Sequence, residues 1–214
     1  MRIAIFGGSG GAEIAAHSIA RLAEAWPGIA LVGYLNDQLA PGTALLGGTV
    51  LGPFATWTEL PPDVRFLAPL HKAKEMRARH ERVLGIGVPD DRWAKLIDPG
   101  AIVAANATMG AGCVIAPMAL VGPSCSLGRH VACWPGAQVA HDAEVGDFVF
   151  LARASVVSGY CTVAAGAYLG IGAVIRERCR IGSFAVVGAG AVVIEDVPDG
   201  AIVAGNPACV IGEA

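Results

Sequence analysis

From Ile97 to Val193 every sixth residue is apolar: Ile97, Val103, Met109, Ile115, Val121, Leu127, Cys133, Val139, Val145, Leu151, Val157, Val163, Leu169, Ile175, Ile181, Val187 and Val193, seventeen positions without a slip or an insertion. Four residues after each runs a second column of small or medium residues, from Ala101, Ala107 and Cys113 through to Ala191 and Val197. Gly, Ala, Ser or Asp fills most of the places just after the apolar one, as in Val145-Gly146 and Ile181-Gly182. A period of six belongs neither to the helix nor to the plain strand, so it is a repeat. It predicts a parallel β-helix in which each hexad forms one short strand and a corner, and three hexads form a coil. The apolar residue points into the prism, the small one completes the interior, and glycine eases the turn. Stacked at roughly the 4.8 Å spacing of paired strands, about five to six coils make a prism on the order of 25–30 Å tall.

The repeat takes about half of the 214 residues and leaves a segment ahead of it long enough for its own core. Arg2 to Phe6 reads as a strand, Gly7-Gly8-Ser9-Gly10-Gly11 as a glycine turn, and Ala12 to Ala25 as a helix. That order opens a nucleotide-binding α/β unit, in which N–H groups at the helix start face an anion. The full G-x-G-x-x-G pattern fails at its last glycine, where Glu13 stands, so a tight turn that binds nothing stays open, as does a dinucleotide site. Ile29 to Leu35 is a second strand ending in Asn36-Asp37, where an acidic residue is placed to meet a ribose hydroxyl. A loop with a short strand around Val50, a short helix at Phe54 to Leu60 and a third strand at Val64 to Leu67 follow. Lys72 to Val83 is a charged helix with a solvated face, carrying Glu75 and Arg79 as an i,i+4 pair. Gly85 to Trp93 is a connector, and Ala201 to Ala208 closes the stack ahead of a short cap. The reading is therefore two domains: a small Rossmann-like α/β unit at 1–92 and an all-β prism at 93–214.

With 54% hydrophobic residues and a mean hydropathy of +0.57, a membrane segment has to be considered. Residues 99–128 carry no charge, long enough to span a bilayer. Gly, Pro, Asn and Ser interrupt that run and the six-residue period passes through it unbroken, so a buried coil stack accounts for it better than membrane insertion. Met1 leads straight into a strand with no separate apolar core or cleavage site, and the expected location is the cytoplasm. Cys113, Cys125, Cys161 and Cys179 fall in the small column and Cys133 in the apolar one, where they serve as small hydrophobes. No Cys-x-x-Cys or His-rich spacing suggests a metal. A net charge of −3 and a pI near 5.9 argue against a nucleic-acid partner. His17, His71 and His80 sit on helical or helix-edge positions and are expected solvent-facing or packed, without a catalytic role. His130 and His141 fall at outward positions of the coils.

The hexapeptide columns, the run His141-Asp142-Ala143-Glu144-Val145-Gly146-Asp147 and the closing Val203-Ala204-Gly205-Asn206-Pro207-Ala208 resemble the left-handed β-helix acyltransferases. The glycine-loop domain in front narrows the resemblance to the branch that includes the sialic-acid O-acetyltransferases and the bacillosamine-pathway sugar N-acetyltransferases. It spans nearly the whole chain, strongly over the coils and more weakly over the first 90 residues. It implies a cytoplasmic homotrimer that moves an acetyl group from acetyl-CoA to an amino or hydroxyl group of a sugar or sugar nucleotide in surface-polysaccharide synthesis, with no metal. His141 matches the family's catalytic base, and Asp142 the acidic residue that raises its basicity. A neutral imidazole suits the removal of a proton near pH 7, and a neighbouring carboxylate stabilises imidazolium. By the same similarity the backbone amide of Gly159 supplies the oxyanion donor, and Phe150, Ile171 and Ala189 contact the CoA. Phe150 stands where the family usually has histidine. On the acceptor side the matching positions are Ser9, Gly10, Gly11, Asn36 and Asp37. There the chain departs from the family: Gly11 replaces a loop histidine, Ala68-Pro69-Leu70-His71 replaces an Ile-Gly segment, and Asp98-Pro99 stands for His-Pro. A non-catalytic trimeric binding or structural protein, and an acyltransferase on a small non-sugar acceptor, remain alternatives.

Overall fold

The computed structural model describes residues 1–214. β1 (Arg2–Phe6) is apolar along its length and central, flanked in parallel by β2 (Ala30–Leu35) and β5 (Val64–Leu67). β4 (Gly48–Gly52) continues the sheet parallel to β2, and β3 (Ala44–Leu45) closes that edge as an antiparallel hairpin, giving the order β3-β4-β2-β1-β5. The strand expected around Val50 is thus the second arm of a hairpin. Between β1 and β2 runs α1 (Gly11–Ala25), with Ala12, Ala15, Ala16, Ile19 and Leu22 buried at the i, i+3, i+4, i+7 spacing of one helical face. Trp26 precedes Pro27, which cannot extend the helix. α2 (Met76–Gly85) starts four residues later than the sequence suggests, because Ala73–Glu75 forms a separate 3₁₀ turn.

The hexads form a left-handed β-helix of two-residue strands, each paired in parallel with the strand 18 residues on, as in Leu120↔Gln138 and Phe150↔Tyr168. Three faces result. The docked face carries Leu96–Ile97, Val114–Ile115, Ala132–Cys133, Phe150–Leu151, Tyr168–Leu169 and Val186–Val187, and is extended by Ala201–Ala204 and an antiparallel Cys209–Glu213. The last of these is the expected cap. The second face turns Ile102, Leu120, Gln138, Val156, Val174 and Val192 outward, and the third Thr108, Ser126, Glu144, Thr162 and Arg180. Inside, the apolar and small columns make one core from Cys113 to Val203, while Ile97, Val103 and Met109 at the open first coil are only partly covered. The five cysteines expected in the interior are all buried there. Burial raises the Cys113 thiol to about 11.

The corners correct one expectation. From Gly112 to Gly190 every sixth residue is left-handed, and most of these are not glycine: Met118, Ser124, His130, Asp142, Phe148, Ala154, Tyr160, Arg178 and Phe184. The glycines after the apolar column are not left-handed. At Gly110 and Gly170 a Cβ would stand 2.7 Å and 2.6 Å from main chain of the next coil. Glycine is there for coil-to-coil approach rather than for the turn.

The α/β unit sits on the docked face. Ala12, Ala15 and Ala16 of α1 share a core with Val114, Ala116, Ala132, Trp134, Phe150 and Ala152, the two aromatic rings filling the space beside the alanines. Asp98, 1% exposed, accepts from Arg21 Nε at 3.1 and 3.2 Å and from the Gly100 amide, which ties α1 to the first coil. That pairing is what Asp98, ahead of Pro99, does in the fold. His130 corrects a second expectation: it points away from the prism yet is 2% exposed, because Trp93 and Phe148 cover it with ring centroids 4.5 Å away on each side. His71 and His80 are packed, His80 against Phe148 at 4.0 Å.

Candidate functional site

The corner between the second and third faces stacks Ser124, Asp142, Tyr160 and Arg178 one coil apart. Asp142 holds the left-handed corner conformation, φ 55°, and its Oδ2 lies 2.8 Å from Nδ1 of His141. With Nδ1–H donated to the carboxylate, Nε2 carries the lone pair and has no partner within the chain. The imidazole is 54% exposed, with Tyr160 edge-on at 5.2 Å and the Arg178 guanidinium 4.6 Å over that tyrosine. Gly159 lies directly against the ring: a Cβ there would stand 2.8 Å from Cε1 and 2.9 Å from Nε2. The Gly159 carbonyl accepts from Arg178, while its own N–H donates to no group in the chain. A free imidazole nitrogen and a free amide donor therefore share one corner, the imidazole exposed and Gly159 buried beside it.

The acceptor positions converge elsewhere. Ser9, Gly10, Gly11, Asn36 and Asp37 all line one cleft of about 380 Å³ in the α/β unit. Its walls follow the carboxyl ends of β1, β2 and β5, where open α/β sheets hold their ligands. Asn36 Oδ1 accepts from Gln38 and Leu39 amides at 2.8 and 3.0 Å, which fixes the loop after β2. Asp37 Oδ1 accepts from the Phe54 amide and Oδ2 pairs with Arg82, both at 2.6 Å. Gly10 donates to Glu13 Oε2 at 3.1 Å, capping α1. The missing loop histidine has a steric explanation: a Cβ on Gly11 would stand 2.6 Å from the Pro69 carbonyl and 3.0 Å from Trp134.

Sequence reasoning missed three cleft residues, Arg79, Arg82 and His71. The arginines lie on the helix read as a solvated face. Their i,i+3 spacing on the element after β5 was the available signal, since that element starts beside the strand ends. His71 packs on Phe150 at 5.1 Å, and burial pushes its pKa down to about 4, with the main chain of His130 pulling the other way.

Of the three positions matched to the donor, Ile171 is 56% exposed and Ala189 is exposed one coil above it, both at the corner between the docked and second faces. Phe150 lies instead in the covered seam against His71, Trp134 and Tyr168. His141 is on the opposite edge of the second face from Ile171 and Ala189, and the cleft opens on the α/β unit. One chain thus keeps the base, the matched donor positions and the cleft apart.

No family model and no curated protein matches the chain. Solved structures do. The acetyltransferase domain of PglB from Neisseria gonorrhoeae FA1090, solved with acetyl coenzyme A, is 28% identical over 98% of this chain and 98% of that one, with a TM-score of 0.85. The H141N mutant of perosamine N-acetyltransferase from Caulobacter crescentus, solved with CoA and GDP-perosamine, is 25% identical over 100% of this chain and 98% of that one, TM-score 0.86. WeeI from Acinetobacter baumannii AYE shares the fold at 24% identity and a TM-score of 0.80, over 99% of this chain and all of that one. The similarity takes in the α/β unit as well as the prism, and the chain has the architecture of the hexapeptide-repeat, left-handed β-helix sugar acetyltransferases from end to end.

Proposed function

We propose that the protein transfers the acetyl group of acetyl-CoA to the amino group of a nucleotide-linked sugar, with His141 as general base. The observation that carries this reading is the free Nε2 of His141 beside the unpaired Gly159 N–H, on a chain similar throughout to enzymes solved with acetyl-CoA or with CoA and GDP-perosamine. The amine attacks the thioester carbonyl while Nε2 takes its proton. Asp142 holds the ring and stabilises the imidazolium. The Gly159 N–H donates to the oxyanion. Collapse expels the CoA thiolate, which recovers the proton from His141.

In this reading residues 1–92 bind the acceptor through Ser9, Gly10, Gly11, Asn36 and Asp37, and residues 93–214 bind the donor through Ile171 and Ala189, while Phe150, covered in the seam, supports the site from beneath rather than touching the donor. The working unit is a homotrimer. Its support is the second face, whose outward row is apolar apart from Gln138, with Ile102 66% exposed, against a polar third face. Packing that row against a neighbour brings the His141 corner of one prism to the Ile171–Ala189 corner of the next. Such an enzyme belongs in the cytoplasm, where acetyl-CoA and nucleotide sugars are available, and supplies modified sugars for surface polysaccharide.

Acetyl-CoA consumption with GDP- and UDP-linked amino sugars tests the reading. His141→Ala is expected to lower kcat by roughly 10²–10⁴. Undiminished turnover in that variant would overturn the mechanism, and failure to bind acetyl-CoA at millimolar concentration would favour an inert trimer.

A further inference from the structure

Four of the left-handed corner residues carry rings, and packing accounts for three of them. His130 and Phe148, 2% and 4% exposed, and Phe184, with the Arg77 guanidinium 4.1 Å over it, lie where the α/β unit covers the corner between the third and docked faces. Tyr160 is the fourth. It stands at φ 59° on the corner between the second and third faces, and it is 48% exposed. Left-handed backbone disfavours a large side chain, and Ser124 and Asp142 in the same column show that a small one serves that corner. A bulky residue that keeps such a conformation without gaining burial points to a role outside packing.

Its contacts lead to His141. The imidazole has one hydrogen bond within the chain, from Nδ1 to the adjacent Asp142, with the two side chains 54% and 43% exposed. Exposed pairs of this kind hold weakly, and a single bond leaves the ring free to turn about it. Gly159 lies against the ring on one side, and Tyr160 meets it edge-on at 5.2 Å and 86°, the favoured T-shaped arrangement. Arg178 lines a groove with Glu177, Glu195 and Asp196, yet its guanidinium pairs with none of them and lies 4.6 Å over the Tyr160 ring. The main chain keeps this order in register: the Tyr160 amide donates to the His141 carbonyl at 3.2 Å, and the Arg178 amide to the Gly159 carbonyl at 3.1 Å.

We propose that Tyr160 is a positioning residue for the His141 base and that Arg178 holds Tyr160 in place, so that the stack keeps Nε2 turned outward beside the Gly159 N–H. This rests on His141 being the base. Tyr160 acts through the imidazole and touches neither donor nor acceptor.

Steady-state kinetics with acetyl-CoA and the GDP- or UDP-linked amino sugar that turns over, together with nitrogen NMR of the histidine-labelled full-length protein, test it. Tyr160→Ala is accommodated by the corner, since Ala154 already holds the same conformation, and melting curves show that it is folded. It is expected to lower kcat roughly 10–100-fold through misplacement of the base, with the KM for acetyl-CoA unchanged. Tyr160→Phe keeps the ring and should restore most of the rate. Arg178→Gln should cost about two- to fivefold, the weight of one exposed cation–π contact. The His141 signals are those lost in His141→Ala. In alkaline solution, with imidazole neutral, they should report a lone pair on Nε2 in the wild type and a mixture of tautomers in Tyr160→Ala. Wild-type kcat in Tyr160→Ala overturns the inference. So does a lower kcat with unchanged His141 signals, which would make Tyr160 a direct substrate contact, and wild-type kcat in Arg178→Gln overturns the arginine's part. The expected change of signals in a protein that acetylates no acceptor supports the positioning and defeats the transferase reading.

Discussion

A methyl group on Gly159 would stand 2.8–2.9 Å from the imidazole of His141, yet Gly159 is not among the left-handed residues, so alanine meets no backbone strain there. The clash is with the end of a half-exposed side chain that can swing away. Gly159→Ala is therefore expected to keep the wild-type melting temperature within about 2 °C although Gly159 itself is buried, since the only atoms the new methyl crowds belong to a side chain free to move. The same variant should lose about tenfold or more in kcat by displacing the base and crowding its oxyanion donor. A large fall in melting temperature with full activity would contradict this. Asp98 shows the opposite balance, being far from the proposed chemistry and fully covered. Arg21→Met removes its charged partner and leaves a buried carboxylate with the Gly100 amide alone. Loss of one partner of a buried pair costs about 3–5 kcal/mol, and because Arg21 is 41% exposed a smaller loss, ~2–3 kcal/mol, is expected in denaturant unfolding.

At the level of the coil, the two kinds of glycine separate. Gly170→Ala puts a Cβ 2.6 Å from the Ala189 amide of the coil above, an overpacking expected to cost ~1–3 kcal/mol. Gly172 is left-handed at φ 67° with open space around it, and nine corner residues of the same kind already carry side chains. Gly172→Ala should cost less than Gly170→Ala, and the reverse order of melting temperatures would show that the turn, not coil approach, sets the demand. The seam has its own pH signature. His130 is held near pKa 3 by burial first, then by Arg129, His71 and His80, and His71 near 4 by burial. The folded state refuses protons that the unfolded chain accepts at about 6.5. Stability is thus complete above pH 6.5 and is lost as pH falls toward 4. The melting temperature should drop between pH 7.5 and 5, with a shallower slope in His130→Phe.

For the whole molecule the decisive surface is the second face. Val156→Glu puts a charge in the middle of its apolar row without touching the core, since Val157 rather than Val156 points inward. Light scattering is expected to show the trimer lost while the melting curve of the chain still reports a folded prism. Activity should fall together with assembly, because the proposed donor groove lies between two chains. A fully active monomer would remove the shared site. The position of the α/β unit follows from the same logic of faces. It covers the docked face, its alanines packing on Ala116, Ala132 and Ala152 beside Trp134 and Phe150, and leaves the second and third faces uncovered within the chain.

The six-residue period determined the prism, its core columns and the burial of five cysteines, because a repeat of one short strand and one corner has a single way to bury its apolar member. The His141-Asp142 pair was legible too, since its place in the period puts it outside the core. Tertiary structure alone decided what the corners face. His130 and His141 are both outward in the repeat, but the docked unit buries one and leaves the other exposed. Arg79 and Arg82 read as a solvated helix face until the strand ends of β1, β2 and β5 are brought beside them. Periodicity records which way a residue points from its own element. What it then meets depends on contacts between residues far apart in the chain, which no local pattern encodes.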